Sequence, residues 1–225
     1  MSGIINMTIP RLRKELLKKF NNIPTTVISD CLNRMNTMHA AIKPVFTPVK
    51  IVGQAVTVQA MVGCNIASHK AIYVAQKGDI IVFDARGHLD TSVWGGVQTI
   101  AAKKRGLGGI VIDGSVRDKK EILKLRFPVF CKGVTPAGPH KGWSDNINVP
   151  VSCGGCPVLP GDIIIGDEDG VVTVPYGRAS EVLKYCADIV KKEREWVKKI
   201  NDGIETTKIL GLDEKIREFK IKISK

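Results

Sequence analysis

Apolar positions along this 225-residue chain switch repeatedly between helical and strand spacing, and the switches predict its elements. Residues 12–20 form a short amphipathic helical pattern. After Pro24, the hydroxyls of Thr25 and Thr26 are expected to cap a second helix through Val27, Ile28, Cys31 and Leu32. Beyond the loop at 44–48, residues 51–60 (IVGQAVTVQA) alternate as a half-buried strand does, and residues 67–76 return to helical spacing. Gly78 and Asp79 then turn the chain into a buried strand at 80–84. A helix from about 96 to 105 ends at Gly106, a strand follows at 109–112 and stops at Asp113-Gly114, and a short helix covers 118–125. Downstream, residues 127–131, 148–152, 162–165 and 171–174 read as short strands, the last two joined by the turn GDEDG at 166–170. A long helix from about 178 to 200 and a charged tail around 212–219 close the chain.

Helices and strands alternate first and strands cluster later, which predicts an α/β fold with a mixed central sheet sandwiched by helices. With 44% hydrophobic residues, the length suits one domain spanning 1–225, with a helical C-terminal extension from about 178. No stretch approaches the roughly 18 uninterrupted apolar residues of a membrane span, and the opening lacks a signal-peptide core. A soluble cytoplasmic protein is expected, with no membrane partner. Six cysteines are scattered through apolar segments, and most then read as reduced core residues. The net charge of +12 raises nucleic acid as a partner. The Lys-rich segment KKEREWVKK at 191–199 nevertheless interleaves Glu with Lys at helical spacing, as a solvated helix face does, so nucleic acid is not expected as the primary partner.

The chemistry concentrates in residues 94–121, WGGVQTIAAKKRGLGGIVIDGSVRDKKE. Gly95 and Gly96 stand where a loop enters a helix, so the N–H groups of the first turn, from Gly95 and Gly96 through Val97 and Gln98, can face a carboxylate-sized anion. The loop DGSVRD sets Arg117 beside Asp118 at a strand's end, where α/β folds commonly bind ligands. Arg117 offers a planar fork for a carboxylate, and Asp118 offers hard oxygens suited to Mg²⁺ or Mn²⁺. Glu121, three residues on, shares a helix face with Asp118 and could hold a metal-bound water. Together these describe a 2-oxo acid site. The plainer alternative is a surface ion pair and a helix cap.

Other motifs carry less. Cys153-Gly-Gly-Cys156 lacks the second pair a structural zinc needs, and the prolines at 157 and 160 forbid the helix that a redox motif would open, so it reads as structural. His39, His69, His88 and His140 show no metal-ligand spacing and are expected in solvent or core, with His69 the one whose helix could bring it near the pocket. Residues 106–109 (GLGG) lack a Walker lysine and a dinucleotide fingerprint. Asp167, Glu168 and Asp169 read as hairpin-turn acids that a subunit edge could bring to a neighbour's site.

The chain resembles the family that contains the regulator of ribonuclease E activity A and the 4-hydroxy-4-methyl-2-oxoglutarate aldolases. The family pattern is a Gly, twenty residues, Arg-Asp, two residues and an acid, and Gly96, Arg117, Asp118 and Glu121 match it. IDGSVRD at 112–118, FPVF at 127–130, NVPVSCGG at 148–155 and PGDIIIGDEDGVVTVP at 160–175 add spaced matches. The resemblance implies an RraA-like α/β sandwich assembled as a homotrimer or hexamer. It also implies a divalent-metal pyruvate aldolase without a Schiff-base lysine, often able to decarboxylate oxaloacetate. Carried over by position, Arg117 would bind the carboxylate and oxo group of a small 2-oxo acid, Asp118 the metal, and the amides of Gly95, Gly96, Val97 and Gln98 the carboxylate. Aldol cleavage and decarboxylation would pass through one pyruvate enolate, stabilised by the metal and Arg117. A non-catalytic regulator that binds a ribonuclease or another protein is the alternative the same family offers.

Overall fold

A computed structural model describes residues 3–222. The N-terminal part holds α1 (Lys14–Lys18), α2 (Thr25–Cys31), β1 (Lys43–Pro44), β2 (Ile51–Gln59), α3 (Ile66–Val74) and β3 (Ile80–Asp84). The middle holds β4 (Ser92–Trp94), α4 (Gly96–Arg105), β5 (Gly109–Val116), α5 (Lys119–Leu125) and β6 (Val129–Val134). There follow β7 (Asn146–Ile147), β8 (Val151–Cys153), β9 (Cys156–Val158), β10 (Ile163–Asp167), β11 (Gly170–Val174), α6 (Ala179–Asn201), α7 (Thr206–Ile209) and α8 (Leu212–Glu218).

The main sheet runs β1-β6-β5-β3-β2-β10-β11, with β4 beside β5 and β7 beside β2. Its centre, β2 through β3 and β5 to β6, is parallel, while β1, β10 and β11 join antiparallel. This is the mixed α/β sheet that the order of helical and strand patterns predicts. Each face buries its own apolar cluster: Ile81, Phe83, Ile110 and Ile112 pack with Ala71 and Ile72 of α3, whereas Ile80, Val82, Val111 and Phe130 pack with Cys153 and Val158 of the β8–β9 hairpin. Alternate strand residues therefore serve opposite faces, which is why β3 and β5 are apolar throughout. The chain divides into two compact units, one up to Leu183 and one from Lys184 onward; the second contains α7 and α8.

Several elements depart from the sequence pattern for identifiable reasons. The Asp113-Gly114 pair does not end the strand, because β5 continues buried to Val116. Asp113 is held inside by Lys132 Nζ at 2.5 Å and by the Gly154 N–H at 2.9 Å, and Gly114 admits the Ala85 side chain, which would lie 2.8 Å from an added Cβ. The strand expected at 148–152 starts only at Val151, as β8; Asn148, at φ 56°, ends β7 just before it. Thr25 and Thr26 do not cap α2 with their own hydroxyls: Pro24 holds the cap position, and Asp167 from the end of β10 accepts both the Thr25 N–H (2.9 Å) and its hydroxyl (2.5 Å). The GDEDG segment does turn β10 into β11, with Asp167 opposite Gly170. Cys153 and Cys156 face each other across the two-glycine turn of β8–β9 as free thiols, and burial raises both above the usual range, Cys153 far above it.

Candidate active site

The site is assembled by the pairing of β4 with β5. Ser92 lies opposite Ser115 and Trp94 opposite Val116, so both chains leave the sheet side by side. The Arg117 N–H donates to the Trp94 carbonyl at 2.9 Å, which sets Gly95-Gly96 against Arg117-Asp118 although twenty residues intervene between Gly96 and Arg117. Trp94 is buried and fixed, since its indole N–H donates to Thr99 Oγ1, whose hydroxyl donates to the Gly95 carbonyl, both at 2.9 Å.

Gly95 caps α4, and the first intrahelical bond of that helix runs from the Thr99 N–H to the Gly95 carbonyl. Asp118 Oδ2 accepts the Gly96 N–H at 2.9 Å, so an anionic carboxylate already sits at the positive end of α4. The Gly96 amide is therefore engaged, and the amides left to meet a ligand from the first turn are those of Val97 and Gln98. Asp118 itself adopts the left-handed conformation (φ 59°, ψ 38°), which aspartate tolerates better than most residues. Arg117 Nε lies 3.7 Å from Asp118 Oδ2, and both side chains remain nearly half exposed. Glycines make room for them: an added Cβ would lie 2.6 Å from Asp118 Oδ2 at Gly95 and 2.8 Å from Arg117 Nη1 at Gly138.

These groups open onto a cleft of about 220 Å³, small enough for a three- to six-carbon acid. Gly95, Val97, Gln98, Arg117 and Asp118 line it, as the sequence places them, together with Trp94, Asn65, His69, Pro139 and Lys141. Its floor is a satisfied amide network: Gln98 Nε2 donates to Ser68 Oγ (2.6 Å), Ser68 Oγ to the Asn65 carbonyl (2.8 Å), and Asn65 Nδ2 to Gln98 Oε1 (3.3 Å) and the Val93 carbonyl (3.2 Å). The Lys141 ammonium reaches Asn65 Oδ1 at 3.4 Å. His69 is exposed, its pKa lowered from 6.5 first by partial burial and then by the charge of Lys141.

Glu121 does not line the cleft. It backs the start of α4, with its Cγ 3.3 Å from where a Cβ on Gly96 would stand. Among the described residues no three His, Cys, Asp or Glu side chains converge as a ready metal cage. Asp118 is the one carboxylate lining the cleft; its Oδ1 has no protein partner among the described residues and is the hard oxygen that could ligate a cation such as Mg²⁺.

The RraA-like family, described as Aldolase/RraA, matches residues 25–173. The chain belongs to this family. Over 184 residues it is 44% identical to a Halalkalibacterium halodurans protein named "Putative 4-hydroxy-4-methyl-2-oxoglutarate aldolase", covering 80% of this chain and 88% of that one. It is also 30% identical to a Thermus thermophilus 4-hydroxy-4-methyl-2-oxoglutarate aldolase over 111 residues, covering 49% of this chain and 68% of that one. Among solved structures it resembles Streptomyces coelicolor RraAS2, an unusual member of the RNase ES inhibitor RraA protein family, with TM-score 0.76, 27% identity, and 85% and 99% of the two chains covered. Among the described residues no helix of this RraA-like chain is long and apolar enough to cross a membrane.

The residues that sequence reasoning missed are Asn65, Trp94, Pro139 and Lys141. Trp94 was within reach of the motif, but Asn65 and Lys141 lie far from it along the chain and carry no local signal.

Proposed function

We propose that this chain is a carbon–carbon lyase that cleaves 4-hydroxy-2-oxo acids, of the 4-hydroxy-4-methyl-2-oxoglutarate aldolase type, and decarboxylates oxaloacetate through a shared pyruvate enolate. The observation that carries the reading is that Val97, Gln98, Arg117 and Asp118 line one carboxylate-sized cleft. In this reading the Val97 and Gln98 amides and the Arg117 guanidinium grip the substrate carboxylate, a geometry the guanidinium fork matches. As the bond beyond C3 breaks, negative charge moves onto the oxo oxygen, where Arg117 stabilises it. Asp118, with Glu121 behind it through water, would hold Mg²⁺ or Mn²⁺, which when bound supplies Lewis-acid polarisation of the oxo group. A cytoplasmic homotrimer or hexamer is the assembly we attach to this reading.

The likeness to the ribonuclease inhibitor RraAS2 supports a second reading, a non-catalytic regulator with a vestigial cleft. Turnover of oxaloacetate and of 4-hydroxy-4-methyl-2-oxoglutarate, each with and without Mg²⁺, separates the two. Oxalate is planar and places negative oxygen where the enolate develops it, so it should inhibit oxaloacetate turnover far more strongly than acetate does. Oxalate no better than acetate would end the enolate reading.

A further inference from the structure

Resting on the lyase reading, the cleft poses a question that Arg117 and Asp118 leave open. Aldol cleavage of a 4-hydroxy-2-oxo acid needs a group to take the C4 hydroxyl proton, whereas decarboxylation of oxaloacetate does not. Most lining side chains are unsuited to the task. The Asn65 and Gln98 amides are not bases and are locked in the floor network; Arg117 and Lys141 are cations; Asp118 is the carboxylate this reading assigns to the metal, with its Oδ2 also accepting the Gly96 N–H.

His69 is the lining group that can accept a proton. It sits one turn into α3, whose start is fixed by Asp145: Oδ2 accepts the Ala67 N–H and Oδ1 the Met61 N–H, each at 3.1 Å. Beside it Ser68 is tied into the floor of the cleft. His69 is exposed and its imidazole makes no hydrogen bond to another described residue, so neither ring nitrogen is committed within the described protein. The charged groups around it are Lys70 on its own helix, Arg117 and Asp118 from the end of β5, and Lys141 from the segment after β6.

We infer that His69 is the proton-transfer residue for aldol cleavage and is dispensable for decarboxylation. One ring nitrogen takes the C4 hydroxyl proton as the C3–C4 bond breaks. The oxygen pair becomes the new carbonyl, the bonding pair passes into the enolate, and the same proton returns to C3 to give pyruvate. The step is redox-neutral and consumes no other reactant. With oxaloacetate, CO₂ departs without any hydroxyl proton to remove, and water supplies the one proton the enolate needs. Partial burial and Lys141 favour the neutral imidazole near pH 7, the form that can act as base.

The test compares both reactions in His69→Asn and His69→Gln. Aldol turnover should fall about 100-fold or more while oxaloacetate decarboxylation stays within about threefold of wild type. Wild-type aldol cleavage should also lose activity on the acid side through one ionisation below 6.5, a limb missing from the variants and from decarboxylation. Equal losses in the two reactions would make His69 a shaping residue and overturn the inference, as would unaltered aldol turnover. Retained decarboxylation in the variants reports an intact fold and site. Failure of the wild type on both substrates would instead defeat the lyase reading itself.

Discussion

Gly95→Ala is the substitution for which the geometry speaks most directly. Gly95 has extended backbone angles (φ −160°, ψ −166°) open to any residue, so the change carries no backbone strain. Its new Cβ would stand 2.6 Å from Asp118 Oδ2 and 3.1 Å from Arg117 Cγ, placing the carboxylate oxygen about 0.8 Å inside ordinary contact. The flexible Asp118 side chain yields more readily than the buried sheet, which moves its carboxylate and breaks the bond to the Gly96 N–H. A charge-assisted bond of this kind contributes about 1.5–3 kcal/mol, and exposure puts this one at the lower end, so the midpoint of thermal unfolding should drop by only about 2–6 °C. A displacement near 1 Å in a reacting site costs about 100-fold in rate, so kcat/KM for oxaloacetate should fall by about that factor. Gly96→Ala is the matched control. Its Cβ would meet Glu121 Cγ at 3.3 Å and Asp118 Cβ at 3.5 Å, contacts that need only small adjustment, and alanine favours the helix by up to about 1 kcal/mol. Coupled detection of pyruvate and a melting curve measure both. A folded Gly95→Ala protein with wild-type kcat/KM would show that the position of Asp118 does not govern turnover.

Asp118→Asn keeps an oxygen for the Gly96 N–H but removes the anionic ligand, so turnover should vanish with little change in melting temperature, and excess chelator should silence the wild type; full turnover in chelator would refute the metal role. Thr25→Val should destabilise the fold by about 1–2 kcal/mol at neutral pH, because burial alone would raise Asp167 and the Thr25 hydroxyl and N–H, with Lys50, more than reverse it. The folded pKa lies below 3.8, so this stabilisation is present above 3.8 and disappears as pH falls through the folded value. Urea unfolding of both proteins at neutral and strongly acidic pH checks it; a difference that persists undiminished in acid would contradict the assignment.

Local signals account for what the sequence made legible. β3 and α4 have the bounds their patterns predict, since Gly78-Asp79 turns into one and Gly106, at φ 72°, ends the other. What was hidden depends on neighbours distant in sequence. A buried Asp113-Gly114 reads as a turn until Lys132 and Gly154 satisfy the carboxylate, and three-residue β4 is a strand only because β5 lies beside it. The Gly-Gly and Arg-Asp pairs were visible as chemistry, but their contact required that same pairing. Asn65, at the cap of α3, and Lys141, on the segment after β6, reach the cleft where periodicity carries no mark of function, whereas helical spacing already marks His69 as the histidine able to approach it.

The engaged Gly96 amide also alters the electrostatics that sequence alone suggested. A bare helix N-terminus attracts anions through its amides and its partial positive charge, but in α4 the Asp118 carboxylate already offsets part of that charge. In the proposed lyase, attraction for a substrate carboxylate would then come chiefly from Arg117 and Lys141, with the Val97 and Gln98 amides supplying direction more than field. The two cations enter the lining from separate segments, Arg117 directly after β5 and Lys141 from beyond β6. Such an arrangement favours anions with negative charge at two points over those with one, which is the distinction between oxalate and acetate.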